Sequence, residues 1–302
     1  MYNHEALYFT TTIILVDDDP SFLKVLSGRL SEKFIIKAFS HPHEAIAYLK
    51  GTQKLVDTIS PSAVVDEELE YGERYLSITK MNVLAENKTK QEMPTVVISD
   101  YTMPEMNGIE FFEKISEMPV MKILLTGNAD LDLALYAFNR NIVNKFLVKN
   151  SPKILSDVEE SIIACQHDFF RKCSYPILNN LNIPDDSLLR QRNRGAELEK
   201  MMKDHHVVEY YLIDNIGSYL LITQTGERIY FICMVDRQFS EYAEVAVTSR
   251  APVEIINGLN ERTHAPVFLS EDDYKLSTKD WASIVRPFER KNGYYLCVVR
   301  IF

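Results

Sequence analysis

The chain has 302 residues, 46% of them hydrophobic and 25% charged, with a formal net charge of −10. This is the composition of an ordinary globular chain long enough for two domains, and its acidity argues against a large electrostatic nucleic-acid footprint. No apolar run is long enough to span a bilayer, and residues 2–12 lack the basic segment and apolar core of a secretory signal, so a cytoplasmic protein is expected.

The four cysteines, Cys165, Cys173, Cys233 and Cys297, show no metal-ligand spacing and are expected to be reduced and packed. Arg190, Arg192 and Arg194 form a tight basic cluster, read as a solvated helix face or linker.

Residues 13–16, Ile-Ile-Leu-Val, are an apolar run that stops at Asp17-Asp18-Asp19. Pro20 suits the first turn of a helix in which Phe22, Leu23, Val25, Leu26 and Leu30 recur at helical spacing. Residues 34–39 read as a second strand and 41–49 as a second helix. Residues 53–94 then interrupt the rhythm, because an α/β connection takes only a few residues. Val64, Val65, Leu69, Leu76 and Met81 are expected to line a helix there, with Glu67, Glu68, Glu70 and Glu73 outward, and 86–92 reads as a polar loop.

The rhythm resumes with Val96, Val97 and Ile98, a strand that ends at Asp100 before a tight loop through Pro104 and Gly108. A helix over 108–115, a strand over 121–125 ending at Thr126, a helix over 130–138 with Leu131, Leu135 and Phe138 at helical spacing, and a strand over 145–148 ending at Lys149 follow. A last helix runs from 151 to about 171. This alternation predicts an α/β, doubly wound, five-stranded parallel sheet with right-handed crossovers. In the last helix Leu155, Val158, Ile162, Cys165 and Phe169 alternate three and four apart, a spacing shared by a dimer seam and by a helix packed on its own sheet.

A linker is placed at 179–186, near Pro176 and Pro184, and a connecting helix at 187–203. Residues 207–213, 218–223 and 228–235 are apolar, aromatic and β-branched with hairpin spacings between them, so an antiparallel meander is expected. Helices over 241–247 and 253–259 and a strand over 294–301 complete a smaller α+β domain.

Asp17 and Asp18 end the first strand, Asp100 the third, Thr126 the fourth and Lys149 the fifth, and a doubly wound sheet brings such positions to one edge. Crowded carboxylates repel, and a hard cation such as Mg²⁺, which prefers oxygen ligands, relieves that. An aspartate can accept a phosphoryl group as an acyl phosphate. A hydroxyl such as Thr126 and an ammonium such as Lys149 can donate to its oxygens.

The pattern resembles the receiver domain of two-component response regulators, of the flavodoxin-like fold and the chemotaxis-regulator kind. The residues that carry the resemblance are Asp17-Asp18 after Ile-Ile-Leu-Val, Asp100-x-x-Met-Pro-x-Met-Asn-Gly, Leu-Leu-Thr126-Gly and Phe146-Leu-Val-Lys149. It implies Asp100 as phosphoacceptor and Asp17, Asp18, Asp100 and the backbone carbonyl of Thr102 around Mg²⁺, with Asp17 acting through water. It implies Thr126 and Lys149 as the switch pair, Phe146 as the aromatic that changes rotamer and a histidine kinase as partner; the seam spacing of the last helix adds a phosphorylation-linked homodimer to the expected partners. Asn150 stands where the family commonly has proline.

The expected organisation is a receiver over 1–172 with the insertion at 53–94, a linker and connecting helix over 173–206, and an output domain over 207–302. Three outputs remain open: a protein- or ligand-binding module, a nucleic-acid-binding transcriptional regulator, and an unrecognised enzyme. Asp204-His205-His206, Asp236 and Glu271-Asp272-Asp273 read as surface or turn residues. Tyr210, Tyr211, Tyr219, Tyr230, Phe231 and Trp281 read mainly as core.

Overall fold

A computed structural model describes residues 5–67, 72–127, 136–191 and 195–301. These divide into two compact units, one of residues 9–60 and 87–175, the other of 5–8, 61–86 and 176–301.

In the first unit five parallel strands stand in the order Ile35–Phe39, Thr12–Val16, Pro94–Asp100, Met121–Thr126 and Lys145–Val148. The three central strands are buried along their whole length, which is why they read as continuous apolar runs rather than alternating ones. The strand order reverses between Thr12–Val16 and Pro94–Asp100, and ligands collect at such a switch point beyond the carboxyl ends.

The helix Pro20–Leu30 starts there. The Asp19 carboxylate caps it by accepting from the N–H groups of Ser21 and Phe22, Pro20 supplies its first turn, and Leu23, Leu26 and Leu30 are buried. The helix Pro42–Thr52 buries Ala45, Ile46 and Leu49. The helix Gly108–Lys114 carries a capping box between Asn107 and Glu110. Residues 136–139 are helical, while Leu131 and Leu135 of that predicted helix lie outside the described residues.

The last helix, Ile154–Asn179, is longer than its sequence predicts and contains Pro176; it crosses from one unit to the other between residues 175 and 176. Val158, Ile162, Cys165 and Phe169 are buried within the chain and Leu155 is half-buried, so packing of the helix inside its own chain accounts for the spacing. Among the described residues no helix is long and apolar enough to cross a membrane.

The other unit is α+β. Its six-stranded antiparallel sheet runs Leu7–Tyr8, Val207–Leu212, Tyr219–Thr223, Arg228–Met234, Tyr295–Ile301 and Glu289–Arg290, with the expected meander in the middle. The helices Asp236–Thr248 and Val253–Asn260 follow the meander.

Three segments differ from expectation. The predicted helix through 64–81 is instead a short helix Pro61–Val64, a hairpin of Val65–Glu67 with Arg74–Leu76, and a helix Ile78–Glu86. Gly72, at φ 66, supplies the turn conformation, and Val65 pairs with Leu76; Glu68, Leu69 and Glu70 lie outside the described residues. The polar stretch after Glu86 forms a 3₁₀ helix, Lys88–Glu92, capped by Asn87. The connecting helix is split into a 3₁₀ turn Leu188–Arg190, ended by the extended backbone of Gln191, and a helix Gly195–Asp204.

The segment 61–86 is built into the second unit by specific bonds. Asn82 Oδ1 accepts from Arg228 Nη2 at 3.1 Å and Tyr230 Oη at 3.0 Å, and Asn82 Nδ2 donates to the Leu269 carbonyl at 3.0 Å. Arg228 Nη1 reaches Glu86 Oε1 at 2.6 Å. The Asn215 side chain accepts from Leu76 N–H and donates to the carbonyls of Arg74 and Asn182.

Candidate functional site

Parallel register sets Val16 beside Ser99, Asp100 beside Leu125 and Thr126 beside Val148, so the strand ends share one edge. Backbone bonds tie them together: Tyr101 N–H donates to Leu125 O and Lys149 N–H to Thr126 O, each at 2.7 Å. Asp17, Asp100 and Thr126 are buried, and Asp18 is exposed. Carboxylate oxygens of Asp17, Asp18 and Asp100 all lie within 4.8 Å of one another. The Lys149 ammonium sits 2.6 Å from Asp17 Oδ2 and 2.9 Å from Asp100 Oδ1.

Burial raises the pKa of Asp17, and the nearby Asp100 charge adds to this against the opposing pull of Lys149 and the Asp19 N–H. Burial works against the charge of Lys149, but its bonds to the two carboxylates outweigh it and the pKa lies above the usual lysine value. Three carboxylates and one ammonium leave two negative charges uncompensated. Asp17 Oδ2, moreover, is buried with no hydrogen bond of good geometry, facing the ammonium instead. An all-oxygen, doubly negative cluster fits a hard divalent cation.

The burial of Asp17 makes stability depend on pH. Its raised pKa means that the folded protein binds this proton more tightly than the unfolded chain does. The Asp17 charge therefore costs stability above the folded pKa, and the cost disappears below the unfolded value. Asp17→Asn is expected to stabilise the metal-free protein at neutral pH by about 0.5–2 kcal/mol. The gain should vanish in acid, and the variant should lose the stabilisation that Mg²⁺ confers; thermal melts with EDTA or Mg²⁺ across pH check all three.

Gly108, expected to end the loop after Asp100 and begin a helix, has a sharper role. A Cβ there would lie 2.3 Å from the Asp100 carbonyl oxygen and 2.6 Å from Leu124 Cδ1. Only glycine lets the helix Gly108–Lys114 start against the strand that carries the acidic residue. Gly108→Ala should cost roughly 2–3 kcal/mol through overpacking against backbone, read as a lower melting temperature.

Phe146 is partly buried and packs against the hydrophobic core, and Thr102 lies exposed in the loop after Asp100. Three neighbours of the site were not evident from sequence. Asp19 N–H donates to Asp17 Oδ1 at 3.0 Å, the Phe22 ring centroid is 4.7 Å from Lys149 Nζ, and Asn150 Nδ2 donates to the Gly127 carbonyl at 2.9 Å. The Asp-Pro start of a helix was a usable signal for Asp19, whereas nothing in the spacing pointed Phe22 at Lys149. The peptide between Lys149 and Asn150 is trans.

In the other unit the candidate polar residues have structural partners. His205 bonds Arg300, Asp236 bonds Arg262 and Tyr295, and Asp273 completes a capping box with Ser270. Asp204 ends the helix Gly195–Asp204 and His206 takes a left-handed conformation after it, while Glu271 and Asp272 are exposed. Tyr211, Tyr219, Tyr230, Phe231 and Trp281 are buried and Tyr210 is partly buried. Arg190 donates to the carbonyls of Ile183 and Pro184, while Arg192 and Arg194 lie outside the described residues.

The family described as response regulator receiver domain matches residues 65–158. The chain carries a response regulator receiver domain. The matched span begins after Asp17 and Asp18, and the sheet order restores the two strands that precede it. Chemotaxis protein CheY homologs of Campylobacter jejuni are 34% identical to this receiver over 83 residues, which are 25% of this chain and 61% of theirs. The alignment thus spans less than two thirds of those relatives. The structure of the Legionella pneumophila response regulator LqsR aligns with a TM-score of 0.75 at 24% identity, over 99% of this chain and 89% of that one. At that identity the likeness is one of fold, and it takes in both units.

Proposed function

We propose that this chain is a phosphorylation-dependent response regulator in which Asp100 receives a phosphoryl group from a histidine kinase and thereby switches the second unit, a protein- or ligand-binding output. The observation that carries this is the Lys149 ammonium spanning two buried carboxylates, Asp17 and Asp100, beside Asp18 at the switch point of the sheet.

An Asp100 carboxylate oxygen attacks the phosphorus of a phosphohistidine. The P–N bond breaks, the imidazole leaves with a proton from solvent, and an acyl phosphate forms. Asp17, Asp18, Asp100 and the Thr102 carbonyl would hold Mg²⁺, which would supply charge neutralisation for the phosphoryl oxygens. Lys149 and the Thr126 hydroxyl donate to those oxygens. Their movement, with that of Phe146, biases two packings of the last strand and its neighbours. The bias can be no larger than the difference in their interaction with the two states.

Exposure of the full chain to acetyl phosphate and Mg²⁺, followed by phosphate-affinity electrophoresis, tests the chemistry. A retarded band that is absent with EDTA supports it, and no retardation under either condition contradicts it.

A further inference from the structure

Phe22 stands in the first turn of the helix Pro20–Leu30, partly buried, with its ring centroid 4.7 Å from Lys149 Nζ. At that separation the ring's negative face attracts an ammonium. The same ammonium lies 2.6 Å from Asp17 and 2.9 Å from Asp100, so one cation is held by two carboxylates and an aromatic face. We propose that Phe22 is a positioning residue: its ring keeps the Lys149 ammonium in place as the resident counter-cation of Asp17 and Asp100, and so sets how readily a divalent cation gains access to Asp17. This role depends on the receiver chemistry proposed above.

The placement is built into the acidic loop. Asp19 N–H donates to Asp17 Oδ1 at 3.0 Å, and the Asp19 carboxylate accepts from the N–H groups of Ser21 and Phe22 at 2.8 and 3.2 Å. The backbone of Phe22 is thereby fixed relative to Asp17. Lys149 arrives from a different strand end, where its backbone N–H is bonded to Thr126 O. Only its side chain bridges to Asp17, and that chain is flexible enough to withdraw. Lys149 has to leave Asp17 before a cation can occupy its buried Oδ2. Whatever holds the ammonium in place therefore competes with metal binding. The capping bonds to Phe22 use its backbone N–H, so they survive a change of side chain.

Calorimetric titration of Mg²⁺ into the full chain tests this with Phe22→Leu and Phe22→Trp, each alone and combined with Lys149→Met. Phe22→Leu should bind Mg²⁺ about two- to tenfold more tightly, the range that follows from the strength of such contacts, and Phe22→Trp should bind more weakly than Phe22→Leu. In the Lys149→Met background the substitutions at Phe22 should leave affinity unchanged, because the coupling requires the ammonium. The NMR signals of the Lys149 methylene protons should carry an upfield ring-current shift that disappears in Phe22→Leu. Equal effects with and without Lys149, unchanged affinity in Phe22→Leu, or no ring-current shift in the wild type would each overturn the role of Phe22 and leave the receiver chemistry standing. Absence of Mg²⁺ binding by the wild type would overturn both.

Discussion

Asp100→Asn is expected to abolish the stabilisation that Mg²⁺ and beryllofluoride together confer on the wild-type chain. Beryllofluoride mimics a phosphoryl group by coordinating one acceptor carboxylate oxygen, and the Asn amide offers only an uncharged carbonyl oxygen, too weak a donor to replace it. In the wild type, ligand at a hundredfold excess over its dissociation constant adds about 2.7 kcal/mol of stability. That should raise the melting temperature by roughly 5–10 °C for a unit of this size. In Asp100→Asn the shift should be absent. The variant should still fold, because the substitution keeps the shape of the side chain and leaves Lys149 its contact with Asp17. A variant that melts normally and retains the full ligand shift would place the acceptor elsewhere.

A second large effect is expected from truncating the second unit. Residues 176–302 expressed alone are expected not to fold to a native state, although they contain the whole meander. The unit also includes residues 5–8 and 61–86. Val64, Leu76, Met81 and Leu84 are all buried, and complete burial of side chains of this kind is worth about 1.5–3 kcal/mol each. Their sum is comparable to the entire stability of an ordinary domain, 5–15 kcal/mol. Without the helix Ile78–Glu86, Arg228 and Tyr230 lose Asn82, and Arg228 loses Glu86. Without residues 5–8, Tyr210 loses Glu5 and the strand Val207–Leu212 loses its neighbour. Circular dichroism and amide exchange on 176–302, and on the same segment joined to 61–86, provide the comparison. Native-like protection in 176–302 alone would contradict this account.

The chain passes between units after Tyr8, Ser60, Glu86 and Tyr175. The crossing after Tyr8 leads to the strand that precedes Asp17, and the crossing after Glu86 leads to the strand that ends in Asp100. The helix after Lys149 makes the crossing at Tyr175. Each strand that supplies a carboxylate or the lysine is thus close in sequence to a crossing into the second unit.

The site was legible in the sequence because its chemistry sits at the ends of continuous apolar runs. Asp17, Asp100, Thr126 and Lys149 each follow a run with no competing helical reading, and the parallel sheet brings them together. The meander was legible for a similar reason, with β-branched and aromatic runs at hairpin spacing.

A helix was expected in segment 61–86 because Val65, Leu69 and Leu76 fall on one helical face. Pairing of Val65 with Leu76, and burial against distant parts of its unit, decided otherwise. Periodicity reports which residues are buried and not what buries them. The same limit explains the stripe from Val158 to Phe169, whose spacing would serve a dimer and whose side chains are covered by their own chain. Phe22 and Gly108 show another limit. Their roles depend on a single distance, from ring to ammonium and from Cβ to carbonyl oxygen, and such distances have no periodic signature.

Asp100 is the proposed phosphoacceptor. The most direct measurement is borohydride trapping after brief exposure to acetyl phosphate and Mg²⁺. Hydride reduces an acyl phosphate to the alcohol, which converts the phosphorylated aspartate to homoserine. Peptide mapping by mass spectrometry then locates it. The account predicts homoserine at position 100, dependent on Mg²⁺ and absent without the donor. Homoserine at Asp17 or Asp18, or an unmodified Asp100 in a chain that has taken up phosphate, would contradict it.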